Sequence, residues 1–173
     1  NTPVQFTDDS TGSPTSWSWT FTGGSPASAN TQGPHTVTYS TAGTYDVSLT
    51  VTNTCGSDDE TKTGYITVYA NPTVSVGDVS VCSGATATLT ADTTGSGCSV
   101  TSYQWYTGQS VNPANIISGA TSSTYQTTIA GDYTCEVACA TGCKDDDYGT
   151  VTVNPNPTVS VGDVSVCSGA TAT

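Results

Sequence analysis

Seven cysteines are the residues whose chemistry this 173-residue chain specifies most clearly. None stands in a Cys-X-X-Cys pair and the chain has a single histidine, His35, which argues against a zinc site. Threonine-rich strands with scattered cysteines are typical of oxidising compartments, so we predict disulfides and an extracellular or cell-surface location. The candidates are Cys55, Cys82, Cys98, Cys135, Cys139, Cys143 and Cys167. Because their number is odd, at least one thiol is free or pairs outside these residues.

Acidic clusters are the second set of residues with possible chemistry, in a chain whose formal net charge is -12. Calcium prefers several convergent carboxylate and carbonyl oxygens. Two of the clusters occupy what we predict to be equivalent loops, and a third is Asp8-Asp9. The candidate calcium ligands are Asp58, Asp59, Glu60, Asp145, Asp146 and Asp147. No Asp-X-Asp-X-Asp-Gly spacing is present, so solvated acidic turns are the alternative interpretation.

Several classes of function find no support in the composition. His35 has no recognisable serine, aspartate or cysteine partner, and the carboxylates cluster in turns, so we predict no enzyme and no cofactor other than calcium. The only basic side chains besides His35 are Lys62 and Lys144, too few for a nucleic-acid or anionic-membrane surface. No apolar run has the length of a membrane helix, so we predict no membrane insertion.

Two features of the sequence point to carbohydrate, as a covalent modification or as a ligand. Ser10 and Thr93 follow aspartates in Asp-Ser-Thr and Asp-Thr-Thr, a pattern that resembles the O-glycan acceptors of some surface bacteria. The alternative is that threonine is simply a good strand residue. Exposed aromatic residues such as Trp17 and Tyr106 are candidates for a sugar-binding platform, although alternating aromatics in a sandwich are more often divided between core and surface.

Short alternating segments separated by glycine, asparagine, aspartate and serine predict an all-β chain. No segment shows helical periodicity. In the first half the predicted strands are Val4–Thr7, Trp17–Phe21, Thr36–Tyr39, Tyr45–Val51 and Tyr65–Val68. In the second half they are Thr73–Val81, Ala85–Ala91, Tyr103–Tyr106, Tyr133–Val137 and Thr150–Val153. The two series follow the same order, which predicts two tandem immunoglobulin-like β-sandwiches arranged end to end.

Eighteen residues occur twice without a change: Asn71–Thr88 and Asn156–Thr173, 85 residues apart. A fixed period of this size indicates a tandem array of domains. We predict a sandwich at 1–69 that lacks its first strand and a second sandwich at 70–154. Residues 155–173 are then an orphan first strand and turn, which belong to a further repeat or are donated to a neighbouring subunit.

Two known families resemble these halves. VQFTDDSTG (4–12), SWSWTF (16–21) and TAGTYDVSLTVTN (41–53) resemble a PKD domain of the form common in large bacterial surface proteins. Residues 70–154 resemble a bacterial immunoglobulin-like domain, with a tyrosine corner in AGDYTC (130–135). The resemblance implies that the core is built around Trp19, Tyr45, Trp105 and Tyr133.

The cysteine pairing remains open at this point. Cys82 and Cys167 occupy the same VCSG position, and Cys55 and Cys143 both lie in the loop before a closing strand. Pairs can form within a unit, as Cys82 with Cys143 and Cys167 with Cys55 of a following copy, or between neighbouring units. The immunoglobulin-like resemblance implies that Cys98 pairs with Cys139 or Cys135.

The predicted function is structural. Tandem sandwiches with short junctions are typical of the repeating rod of an extracellular filament or adhesin stalk, whose partners are neighbouring copies of itself. One alternative is a filament subunit that polymerises by strand donation. Another is a carbohydrate-binding accessory module of a secreted enzyme, with a surface glycan or other cell-surface ligand as its partner.

Overall fold

The computed structural model describes residues 3–169, and their secondary structure is almost entirely β. Thirteen strands and one short 3-10 helix at Pro113–Asn115 make up its regular elements, and residues 3–169 contain no α-helix. Within these residues no helix is long and apolar enough to cross a membrane. The predicted all-β class is therefore confirmed.

Six strands form the first sandwich from two sheets. They are β1 (Val4–Phe6), β2 (Ser16–Phe21), β3 (Ser28–Ala29), β4 (His35–Val37), β5 (Gly43–Asn53) and β6 (Gly56–Val68). β1 pairs antiparallel with β4, and the other sheet has the order β3-β2-β5-β6. β6 is thus an edge strand among the described residues, and it is longer than the predicted Tyr65–Val68.

The core of the first sandwich lies between these sheets. Phe6 and Val37 come from the two-stranded sheet, and Trp19, Phe21 and Val47 from the other. The ring centroids of Phe6 and Phe21 are 4.9 Å apart, so aromatic side chains join the two layers. Alternation along β2 places every second residue in this core, because successive side chains of a strand point to opposite faces. Trp19 is buried as predicted.

Seven strands form the second sandwich. They are β7 (Ser75–Val76), β8 (Val79–Cys82), β9 (Ala87–Asp92), β10 (Val100–Thr107), β11 (Thr124–Thr127), β12 (Gly131–Cys139) and β13 (Lys144–Asn154). The sheet orders are β10-β12-β13-β8 and β11-β9-β7. β8 runs parallel to β13, whereas β7 runs antiparallel to β9.

Trp105 is the centre of the second core. Its side chain is completely buried, and its Nε1 donates a hydrogen bond to the carbonyl oxygen of Ser122 at 2.9 Å. The ring stacks on Tyr125 with centroids 5.7 Å apart, and Tyr125 in turn packs against Tyr133 at 5.3 Å. Trp105 and Tyr133 are therefore core residues, as the resemblance implied.

The chain divides into two compact units whose boundaries do not follow the sequence simply. One comprises residues 1–73 with 93–102 and 137–145, and the other comprises 74–92, 103–136 and 146–173. Within the first unit, the backbone N–H of Thr73 donates to Ser96 Oγ at 3.1 Å. A Cβ at Gly97 would lie 2.7 Å from that of Ala70, so the 93–97 loop packs closely on 70–73.

Three local predictions differ from the structure. The predicted strand Thr73–Val81 is two strands, because the chain leaves one sheet at Gly77-Asp78 and joins the other. β3 and β11 were not predicted at all. Residues 155–169 form no strand here, since no strand lies beside them to supply backbone partners. The last four residues of the predicted 155–173 segment lie outside the described residues.

Both sandwiches contain a tyrosine corner. Tyr45 donates its hydroxyl hydrogen to the carbonyl oxygen of Thr41 at 2.8 Å, and Tyr133 donates to that of Ile129 at 3.0 Å. Each bond spans four residues and ties the turn before the strand to the strand itself. Tyr133 is buried, whereas Tyr45 is only partly buried and packs at the margin of its core.

Replacement of Tyr133 by phenylalanine is expected to lower the free energy of unfolding by about 1–2 kcal/mol. The substitution removes the bond to Ile129 and leaves the nearby Thr127 hydroxyl, 3.2 Å from the Tyr133 oxygen, with one partner fewer in a buried place. Tyr45→Phe is the matched control and should cost less, because its bond is open to solvent. Urea unfolding followed by circular dichroism measures both; equal losses would contradict the role of burial.

Candidate functional site

One disulfide is formed in the structure, between Cys98 and Cys139, with Cα atoms 6.2 Å apart. Of the two partners predicted for Cys98, the structure selects Cys139. Cys98 lies in the loop before β10, and Cys139 is the last residue of β12, the neighbour of β10 in the sheet. The bridge therefore links a loop to the end of an adjacent strand.

Cys135 is the second partner that was predicted for Cys98, and it is a buried free thiol instead. Burial raises the pKa of Cys135 to about 12, and the charge of Glu136 adds to the rise, against a hydrogen bond from the backbone of Gln104. A thiol that holds its proton so firmly is a poor nucleophile. Cys135 is therefore a packing residue.

The raised pKa of Cys135 predicts a pH-dependent stability. The unfolded thiol ionises near its ordinary value of 9.0, whereas the folded thiol stays protonated until about pH 12. The free energy of unfolding should thus fall above pH 9, by at most about 1.4 kcal/mol per pH unit. Urea unfolding of wild type and Cys135→Ala from pH 8 to 10.5 checks this; two parallel curves would contradict it.

The Cys82–Cys143 pair that was one of the predicted alternatives is not formed. Cys82 is paired in register with Asn154 at the end of β13, whereas Cys143 immediately precedes the start of that eleven-residue strand. The two thiols therefore lie at opposite ends of β13. Cys55 and Cys167 are exposed and free, and their pairing with other copies stays a prediction.

The acidic clusters lie on strands, which corrects the predicted loops. Asp58, Asp59 and Glu60 belong to β6, and residues 145–147 belong to β13. Consecutive side chains on a strand point to opposite faces, so the middle carboxylate of each cluster points away from the other two. Within the described part of the chain no three His, Cys, Asp or Glu residues are grouped so that they could hold a metal ion. A calcium site stays a prediction from the sequence.

The residues predicted to bind or carry carbohydrate differ in their burial and hydrogen bonding. Trp17 Nε1 donates to Asp8 Oδ2 at 2.7 Å. Burial opposes the ionisation of Asp8, but hydrogen bonds from Ser10, Trp17 and Gln32 outweigh it and lower its pKa. Tyr106 is buried, which favours the alternative that this candidate belongs to the core. Ser10 and Thr93 are partly buried, and their glycosylation stays a prediction.

A groove runs between β1 and β6 of the first sandwich, and it was not predicted from the sequence. One part, about 280 Å³, is lined by Phe6, Trp19, Val47 and Tyr65, of which the first three are at most 6% exposed. The buried Trp19 Nε1 has no hydrogen-bond partner. The neighbouring part, about 510 Å³, continues past Cys55 and the acidic residues 58–60.

The edge strand β6 has two dissimilar halves. In the first, which we call the charged half (Gly56–Lys62), pairing with β5 sets Asp58, Glu60 and Lys62 opposite Val51, Leu49 and Val47, on the core-facing side. In the second, which we call the apolar edge (Tyr65–Tyr69, of which Tyr69 directly follows the end of the strand), no residue is charged, and Tyr65 and Tyr69 are 54% and 57% exposed. Inward-pointing charges on an edge strand discourage pairing with other strands. Only the apolar edge is left available.

Part of the chain matches a known family. The family model described as "PKD domain" matches residues 1–65. No curated protein matches the chain.

Solved structures similar to the chain include Drosophila OTK extracellular domains 3–5, at 16% identity and a TM-score of 0.43 over 70% of this chain. A Dscam1 isoform with four N-terminal Ig domains is 14% identical, with a TM-score of 0.37 over 80% of this chain. Fibronectin(III)-like modules of Clostridium thermocellum CbhA are 11% identical, with a TM-score of 0.38 over 88% of this chain and 85% of theirs. The chain spans 45% of the OTK structure and 37% of the Dscam1 structure.

Proposed function

We propose that this chain is a non-catalytic structural repeat of an extracellular filament or adhesin stalk. The observation that carries the proposal is the exact recurrence of Asn71–Thr88 at 156–173, because the first copy supplies two complete strands and the start of a third. A chain that repeats a structural element without change after one period is built as an array. The PKD match and the Cys98–Cys139 disulfide are typical of extracellular modules.

The surroundings of the single histidine support a role without catalysis. A nitrogen of the His35 ring is 2.9 Å from the carbonyl oxygen of Thr31. The ring also packs edge-on against Trp19 and Phe21, with centroid distances of 5.7 and 6.0 Å. The His35 side chain therefore packs against the core aromatics and bonds to the backbone of the preceding turn. PKD and immunoglobulin-like domains are in general modules without catalytic function, which agrees with this interpretation.

Two alternatives differ in their support. A carbohydrate-binding accessory module has little, since Tyr106 is buried and the indole nitrogen of Trp17 is engaged by Asp8. A subunit that polymerises by strand donation is favoured by the exposed valines at 159, 161, 164 and 166. That possibility concerns how copies join, and it is compatible with the structural role.

Labelling of intact source cells tests the proposal. An antibody against the purified chain, viewed by immunogold electron microscopy, should decorate filaments or projections outside the cell. Protease added to unbroken cells should remove the label, and a cytoplasmic enzyme assayed in parallel controls for lysis. Label confined to the cell interior and protected from protease would refute the structural role outside the cell.

A further inference from the structure

The same valines occupy opposite environments in the two copies of the repeated segment. Val76 is only 6% exposed, whereas its counterpart Val161 is 89% exposed. Val79 and Val81 are partly buried in β8, whereas Val164 and Val166 are 62% and 50% exposed. The sequence of the second copy is thus suited to a partner that the first copy has and the second lacks.

The first copy shows what that partner is. β8 lies parallel to the end of β13, with Val79 opposite Val151 and Val81 opposite Val153. The side chain of Asp78 fixes the start of the pairing, because its Oδ1 accepts the backbone N–H of Thr150 at 2.8 Å. The backbone N–H of Ser83 closes it, donating to the carbonyl oxygen of Asn154 at 2.8 Å.

An equivalent edge exists on the first sandwich and is open. Gly64-Tyr65-Ile66-Thr67-Val68 corresponds to Gly149-Thr150-Val151-Thr152-Val153, and both stretches precede an Asn-Pro-Thr-Val-Ser-Val sequence. Val151, which is paired with Val79 of β8, is 1% exposed, whereas Ile66 is only partly buried. The strand order ends at β6, so nothing among the described strands occupies the place that β8 takes beside β13.

We propose that residues Asp163–Ser168 of one copy add as a parallel strand to the apolar edge of a second copy of this chain. The proposal rests on the proposed structural function and names the partner of that repeat. By the register of β8 on β13, Val164 lies opposite Ile66, and Cys167 lies opposite Tyr69. Asp163 accepts the backbone N–H of Tyr65, as Asp78 does that of Thr150.

The chemistry of the edge makes the pairing selective. A strand that slides toward the charged half meets the carboxylates of Asp58 and Glu60 on the face where its valines must be buried. The apolar edge carries no charge, and the donated residues contain one carboxylate, that of Asp163. The groove lined by Phe6, Trp19 and Tyr65 lies beside this edge, where apolar side chains that precede Asp163 would enter it.

The proposed contact is heterologous, because the donated strand and the accepting edge are different surfaces of the chain. Heterologous contacts propagate from copy to copy instead of closing on a symmetric pair, unless the rotation returns to its start. Strand addition at each step therefore makes an open series of copies, as a filament requires.

Disulfide trapping in the full chain tests the register. Tyr69→Cys is introduced into a chain carrying Cys55→Ser, Cys82→Ser and Cys143→Ser, which retains Cys167, the Cys98–Cys139 bridge and the buried Cys135. Mild oxidation is expected to give a ladder of covalent oligomers on a non-reducing gel. Mass spectrometry should find Cys167 joined to the thiol introduced at position 69. Ser57→Cys, in the charged half of the same strand, is the matched control and should give at least ten-fold less of the corresponding peptide.

A second pair of changes tests the donated strand. Val164→Asp with Val166→Asp, added to the Tyr69→Cys chain, should abolish the ladder while leaving the unfolding temperature unchanged, because both valines are exposed in the single chain. An undiminished ladder, a bridge within one chain, or equal trapping at positions 57 and 69 would each overturn the proposal. If the antibody labels filaments at the cell surface but the 69–167 bridge does not form, strand addition is contradicted and the proposed function is not.

Discussion

Trp105→Ala is expected to lower the free energy of unfolding of the second sandwich by about 3–5 kcal/mol. The indole is completely buried, stacks on Tyr125 and donates to the carbonyl oxygen of Ser122. Its removal opens a cavity and leaves that carbonyl without its partner. Because a small domain is stable by only about 5–15 kcal/mol, we expect a large shift of the unfolding midpoint.

Urea unfolding followed by far-UV circular dichroism measures this loss. Tyr148→Ala is the control, since Tyr148 lies on β13 of the same sandwich but is exposed, and its loss should stay within about 0.5 kcal/mol. Trp105→Phe separates the contribution of the aromatic ring from that of the hydrogen bond, because it retains a ring and removes the bond. A Trp105→Ala midpoint equal to that of the control would mean that the indole is not the centre of this core.

Removal of the Cys98–Cys139 bridge is the second large effect that we expect. The two cysteines are 41 residues apart, and releasing a loop of that length gives the unfolded chain conformational entropy worth about 4 kcal/mol. The double variant Cys98→Ala with Cys139→Ala should therefore unfold at markedly lower urea concentration than wild type. Dithiothreitol added to the wild-type protein should produce a similar shift.

The free cysteines provide the control for this effect. Cys55→Ser changes an exposed thiol that forms no bridge, so it should leave the unfolding midpoint in place with or without reductant. If reductant fails to destabilise wild type, or destabilises the double variant to the same extent, the bridge does not contribute to stability in solution.

Core positions were predictable from the sequence because large aromatics at alternate positions have few alternatives to burial. Trp19, Trp105 and Tyr133 are buried as expected, and both tyrosine corners form. β11 was not found, because Thr124–Thr127 is polar apart from Tyr125 and contributes one buried side chain, Thr127. Its place in the sheet depends on pairing with β9, which is a distant part of the chain.

The charged half of β6 was interpreted as a loop for a related reason. A run of acidic residues is typical of a turn, but an edge strand needs only one neighbour for its backbone hydrogen bonds. Residues 57–62 pair with 47–52 of β5 and leave their side chains exposed to solvent. The apolar edge could not be recognised from composition either, because whether it is open to another strand depends on which strands lie next to it.

Identical residues thus form strands in one place and none in another. Asn71–Thr88 contributes to three strands, β7, β8 and the start of β9, whereas 156–169 has none within the described residues. Local preference is the same in both copies, so the difference comes from the neighbours alone. A prediction of strand from this segment is in effect a prediction that a partner strand exists.

The parallel pairing of β8 with β13 determines how the second sandwich resists tension. β8 lies near the beginning of this sandwich and β13 at its end, so a pull on the flanking chain draws the two strands in opposite directions along their length. Four residue pairs, from Val79 with Val151 to Cys82 with Asn154, are then loaded together instead of one after another. The hydrogen bonds must shear simultaneously, whereas an antiparallel hairpin pulled from its open end would unzip bond by bond. A sandwich closed in this way is expected to hold its length under load until it yields in a single step.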